Sequence, residues 1–333
     1  MTLNTTIISK GDKSARLCQI SFGKKLLSTP TYFPAISGAK SRFPFNQLFA
    51  FLASREFPRI LISSYDFSKL EGEEKKNIVS LISSYTDKGN FLFLDSGGYE
   101  SFWLRDLTWK FDKYRETVSE INSDFYTSYD YSPNTIDNVT QFEDAVLSIK
   151  KSKGLSKKSK FIPIIHGETP INVVNNLEKF LKLQEDPNQI IAIPERDCGI
   201  LLSQRAKSVL EIRRVLNEYD EKIILHLLGC GHPVSMAVYS YCGADSFDSI
   251  DWMRIFINRD TLGIYSHSNS ELVNCKCVVC SRNDDDQYKK IFLHNLVFYQ
   301  DFVLQIQKMI KKNTLKDFLI QIVGIDFIKE LSN

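Results

Sequence analysis

Eight short apolar runs, each closing on polar or glycine residues, constrain the fold of this chain more than any other feature. They read TYFPAIS (31–37), RILISSYDF (59–67), FLFLDSGGY (91–99), SDFYTSYDY (123–131), KFIPIIHGE (160–168), QIIAIPERD (189–197), KIILHLLGC (222–230) and ADSFDSID (244–251). Continuous apolar runs of this length mark strands buried on both faces, as parallel sheets require. Most are separated by segments with helical periodicity, such as FDKYRETVSEI and SQRAKSVLEIRRVLNEY. Eight such units predict an α/β fold, a (β/α)8 TIM barrel. An open doubly wound sheet is the rival, but it usually has fewer strands and a Gly-rich first turn, absent here.

A barrel gathers its chemistry at the C-terminal ends of its strands. Those ends carry Asp95, Asp130, His166, Glu195, His226 and Asp248. Before the first run, ARLCQISFGKKLLSTPTYFP reads as an extended hairpin capping the barrel. After the last come a cysteine segment and a long helix expected at about 294–310. The expected division is a capped catalytic barrel over 1–265 and a small zinc-binding subdomain with C-terminal helices over 266–333.

With 43% hydrophobic and 25% charged residues the chain has the balance of a soluble globular protein. No apolar stretch nears the roughly 20 residues of a membrane span, and the N-terminus has no secretory h-region. A cytoplasmic location without membrane contact is expected. The net charge of +2 does not announce a nucleic-acid binder. Lysines crowd 150–160 and 308–316, where they either hold phosphates or form solvated surface.

Three motifs carry chemistry. In DSGGYES (95–101), an aspartate before Ser96-Gly97-Gly98 makes a tight turn that brings backbone N–H groups to a ligand, and Tyr99 offers a flat face. The plainer alternative is a Gly-Gly turn with Asp95 as a helix cap. In GADSFDSIDWMR (243–254), Asp248 and Phe247 point to opposite faces of a strand. A carboxylate pair across a pocket can run covalent glycosidic exchange, although lone strand-end aspartates often only order loops. Cys275, Cys277, Cys280 and His294 form a Cys-x-Cys-x2-Cys…His set that fits a closed, structural zinc site. The alternative is a reduced loop with His294 at a helix start.

Taken together and in this order, DSGGYE, FDSID and CxCxxC…HN resemble the queuine/archaeosine tRNA-guanine transglycosylase superfamily. The likeness extends over most of the chain, including LLGCGHP (227–233) and HNLVFYQDFVLQIQKMI (294–310). The resemblance implies Asp248 as the nucleophile that captures the sugar C1′ and Asp95 as the general acid/base. It further implies Tyr99 stacked on the base, Asp130 accepting from the guanine edge, and Leu228 beneath the ring. Ser96, Gly97, His166, Gly167 and Gly229 complete the implied substrate-binding set. Homodimers or helper proteins are further possible partners.

Departures accompany the likeness. His166-Gly167-Glu168 stands where the family has Gln-Gly-Gly, IPERDCG replaces its sixth-strand glycine turn, and IDWMRIFINRDTLGIYSH replaces an Arg-rich segment. The resemblance implies that these changes fall on surfaces that grip tRNA. The pattern is closest to the DpdA-type DNA 7-deazaguanine transglycosylases, so the expected reaction exchanges guanine for a preQ0-like 7-deazaguanine, with DNA favoured. The alternatives are the same exchange on tRNA, a non-catalytic partner subunit, and a retaining glycoside hydrolase, which leaves the zinc motif unexplained.

Overall fold

The computed structural model describes residues 2–130, 141–184, 189–282 and 286–331. Three antiparallel strands open the chain: β1 (Leu3–Lys10), β2 (Arg16–Phe22) and β3 (Lys25–Thr29), in the order β1-β2-β3. The expected hairpin is β2–β3. The added strand β1 alternates buried and exposed residues over much of its length, so no continuous apolar run reveals it.

Eight parallel strands follow: β4 (Thr31–Ile36), β5 (Arg59–Ser63), β6 (Phe91–Asp95), β7 (Phe125–Thr127), β8 (Lys160–Ile162), β9 (Ile190–Pro194), β10 (Ile224–Leu228) and β11 (Ser246–Ser249). Their order is β8-β7-β6-β5-β4-β11-β10-β9. Two backbone hydrogen bonds close the ring between its ends: Ile165 N–H to Ala192 O at 2.9 Å and Ala192 N–H to Pro163 O at 3.0 Å. This is the expected (β/α)8 barrel. Each strand is shorter than its apolar run, because the runs continue into the βα turns. RILISSYDF leaves the sheet at Ser63 and enters the helix Ser64–Ser68, and FLFLDSGGY leaves it at Asp95. Tyr131, the last residue of the fourth run, lies outside the described residues.

Strand parity divides the core in two. Phe33, Ala35, Leu61, Phe91, Phe93, Phe125, Ile162, Ala192 and Ile224 point into the barrel, where they meet Leu3, Cys18, Ile20, Phe22 and Leu27 of the N-terminal sheet. That sheet therefore plugs one end. Ile60, Ile62, Leu92, Leu94, Ile191, Ile193, Leu225, Leu227 and Phe247 point outward under the helices. The parity that places Phe91 and Phe93 inside also places Asp95 inside. The parity that turns Phe247 outward turns Ser246 and Asp248 inward.

After the barrel, β12 (Ile255–Ile257) pairs antiparallel with β13 (Ile264–Ser266). The long C-terminal helix runs from Gln287 to Lys312, starting two turns earlier than expected. Asp286 sets that start, since its side chain accepts from Lys289 N–H. His294 is consequently a buried residue inside the helix rather than at its start. The helix lies against β4, with Tyr299 stacked on Tyr32 at a centroid distance of 3.9 Å. Among the described residues, no helix is long and apolar enough to cross a membrane.

Candidate active site

The C-terminal ends of the barrel strands surround a cavity of about 310 Å³. Asp95, Tyr99, Asp130, Leu228, Gly229 and Asp248 line it, together with Ser63, Glu100, Asp251 and Arg254. Strands β6, β10 and β11 thus deliver residues remote in sequence to one chamber.

The turn after β6 explains its two glycines. Gly97 sits at φ +80°, and a Cβ there would lie 2.5 Å from the Tyr65 side chain. At Gly98 a Cβ would lie 3.0 Å from that of Asp130. Bare backbone at both positions lets Asp95 and Asp130 share the cavity. Asp95 accepts from Gly97 N–H at 3.2 Å. Burial, added to the nearby Asp248 and Asp130 carboxylates, pushes its pKa up to about 7 against the pull of that N–H. Asp95 can therefore hold or release a proton near neutral pH.

Asp248 is differently placed. Its Oδ1 lies 3.1 Å from Gly229 N–H and 3.2 Å from Nε2 of the fully buried His226. Asp130 stands beside His166, whose Nε2 approaches Asp130 Oδ1 at 3.2 Å while its Nδ1 contacts Asp197 Oδ2 at 3.0 Å. Burial opposes a charge on His166, but the two carboxylates outweigh it and push its pKa up to about 10. The resulting imidazolium holds Asp130 below the usual carboxylate range against burial, which acts the other way. Asp130 is thereby kept as a pure acceptor facing the cavity.

Four of the expected substrate-binding residues do not line the cavity. Ser96 is buried, and its Oγ accepts from Gly98 N–H at 3.3 Å. Gly97 shapes the turn, and Gly167 packs against the Val173 backbone. His166 reaches the cavity only through Asp130. Conversely, Glu100 lines the cavity without standing out in the sequence, five residues beyond Asp95 in the first turn of the helix Gly98–Trp103. It accepts from Ser63 Oγ at 2.7 Å, and burial with the charges of Asp66 and Asp95 pushes its pKa up to about 8.

A model of the queuine tRNA-ribosyltransferase family matches residues 12–324. The chain belongs to this family. It is similar to the tRNA-guanine(15) transglycosylase of Archaeoglobus fulgidus, 24% identical over 91% of this chain and 65% of that protein. It also resembles the enzymes of that name from Sulfolobus acidocaldarius (20% identical, 89% of this chain and 61% of that protein) and Pyrobaculum aerophilum (22%, 94% and 65%). The chain spans less than two thirds of the length of each of these relatives.

This ribosyltransferase-family chain also brings its Cys3His set together. Cys277 and Cys280 Sγ lie 3.3 Å from His294 Nδ1, and Cys275 Sγ lies 3.7 Å from it. All four ligand atoms fall within 4.8 Å of one another, the spread of a tetrahedral first shell. His294 Nε2 faces Ile257 O at 2.8 Å and donates to it, which leaves the Nδ1 lone pair for a metal. The group can hold a metal ion.

The cations at the mouth are not the ones that crowd the sequence. Lys150 to Lys160 run from the end of the helix Gln141–Ser152 into the start of β8, at the opposite end of the barrel. Gln307, next to Lys308, bonds Pro30 O at the start of β4, the same end. At the mouth stand Arg196 and Arg254 instead, and beside them a second cavity lined, among the described residues, by Lys40, Arg42 and Arg254 without a carboxylate. Trp103, half exposed, lies at this rim with Lys40 Nζ 3.6 Å from its ring centroid.

Proposed function

We propose that this chain exchanges a guanine base in nucleic acid for a free base through a covalent sugar–enzyme intermediate. The observation that carries this reading is the single chamber in which Asp95, near-neutral in its proton affinity, faces Asp248 and Asp130. In the first step Asp248 bonds to the sugar C1′ as the glycosidic bond breaks. The electron pair goes to the departing guanine, which takes the proton of Asp95. In the second step the incoming base gives a proton to Asp95 and bonds to C1′, releasing Asp248. Asp130 accepts from the N–H edge of the base, Tyr99 stacks on it, and Leu228 and Gly229 form its floor.

The polymer we propose is tRNA. The relatives named above are tRNA-guanine transglycosylases, and the expectation of DNA finds no support among them. The mouth fits a polyanion, with Lys40, Arg42, Arg196 and Arg254 for phosphates and Trp103 for stacking. A 7-deazaguanine such as preQ0 is the proposed incoming base, and zinc the proposed occupant of the Cys3His group, where it would hold the cysteine segment to the long helix.

Purified protein incubated with preQ0 and either tRNA or DNA carrying labelled guanine tests the reading. Release of label from tRNA is expected. Release from DNA alone would replace the proposed polymer, and release from neither would overturn the exchange reaction.

A further inference from the structure

The hydrogen bonds that reach Asp248 are unevenly shared between its two oxygens. His226 Nε2 and Gly229 N–H both approach Oδ1, at 3.2 Å and 3.1 Å, and among the described residues no donor is seen at Oδ2. His226 does not line the cavity. It lies fully buried below Asp248, tilted over Phe93 at a centroid distance of 5.0 Å and edge-on to Phe33 at 6.2 Å. Its other nitrogen, Nδ1, lies 2.6 Å from Ser246 Oγ. Ser246 and Asp248 share the inward face of β11, and His226 is on the neighbouring strand, in register with Ser246.

These partners define the tautomer. A carboxylate oxygen only accepts, so the proton sits on His226 Nε2, and Nδ1 accepts from the Ser246 hydroxyl. The relay Ser246–His226–Asp248 then ends on one oxygen of the carboxylate. We infer that His226 is the positioning residue of the nucleophile: its Nε2–H, with Gly229 N–H, pins Oδ1 and leaves Oδ2 to attack C1′. The inference rests on the proposed function, since it takes Asp248 as the attacking group. It gives a reason for a polar residue in the middle of β10, where the flanking Leu225 and Leu227 are core.

Two variants separate positioning from packing. His226→Phe fills the slot between Phe33 and Phe93 without a donor, and His226→Gln can return an N–H to the Nε2 position. His226→Phe is expected to lower kcat roughly 10- to 100-fold, the scale of a lost hydrogen bond to a charged group, with KM for the polymer unchanged. His226→Gln should recover most of kcat. A folded His226→Phe with unchanged kcat overturns the inference. Nitrogen NMR of the wild-type imidazole gives a readout that needs no turnover. A proton on Nε2 supports the relay, and a neutral ring protonated on Nδ1 overturns it. Absence of exchange by the wild type would sink the proposed function while leaving the NMR result to judge the relay.

Discussion

Asp245 and Asp248 lie three residues apart in GADSFDSID, yet they sit at opposite ends of the barrel with different hydrogen-bonding partners. Asp245 is fully buried at the plugged end. Arg16 Nε reaches its Oδ1 at 2.8 Å, Arg213 Nη2 its Oδ2 at 2.7 Å, and Leu225 N–H its Oδ2 at 2.8 Å. Every face of that carboxylate is committed, so it fastens the N-terminal sheet to the barrel. Asp248 opens on the cavity and, among the described residues, has hydrogen bonds on one oxygen only. The contrast teaches that reactivity here depends on which lone pairs the fold leaves unclaimed, not on being a strand-end acid.

Paired substitutions break the comparison most sharply. Asp248→Asn should cut base exchange roughly 10⁴-fold or more, as loss of a nucleophile does elsewhere, with little change in melting temperature. Asp245→Asn should cost about 3 to 5 kcal/mol of stability, because it leaves two buried guanidinium groups facing a neutral amide. Its folded fraction should retain exchange. Denaturant melts and single-turnover assays on both variants check this.

The pH response of Asp95 comes next in size. The first step needs its proton, so the single-turnover rate should fall as pH rises above about 7. The sign for stability is opposite to that of an ion-paired carboxylate. The folded protein keeps a proton that the unfolded chain loses near its ordinary value of about 3.9. The contribution of Asp95 to stability should therefore decline from roughly pH 4 to pH 7 and then level off. Asp95→Asn should flatten that decline in melts run across the range.

Smaller effects are expected away from the chamber. Cys277→Ser should lower the metal content from the proposed one zinc per chain and loosen 270–282 in hydrogen exchange, with the barrel amides unchanged. Arg254→Ala should leave kcat near wild type, raise KM for the polymer, and reduce the salt slope of binding by about 0.7 to 0.9.

The barrel was legible because parallel strands buried on both faces leave long apolar runs, which few other folds do. Their ends were not, since Ser63 and Asp95 look no different from the residues after them until the turn geometry at Gly97 is known. The Cys3His set was legible because its ligands lie close in sequence. Pairings such as Arg16 with Asp245, 229 residues apart, leave no local trace. The same holds for His166 with Asp197, and for this reason the histidine read as a base contact stands behind Asp130 instead. The lysine clusters stayed open between phosphate contacts and solvated surface for a like reason: charge density along the chain says nothing about which end of a barrel it decorates.

The most direct test of the account is to trap the intermediate. Protein mixed with tRNA and no incoming base would be denatured, digested with nuclease and protease, and its peptides weighed. A nucleotide mass on the peptide carrying Asp248, lost in Asp248→Asn and retained in folded Asp245→Asn, is the predicted result. Guanine release with the adduct on Asp95, or with no adduct at all, would contradict it.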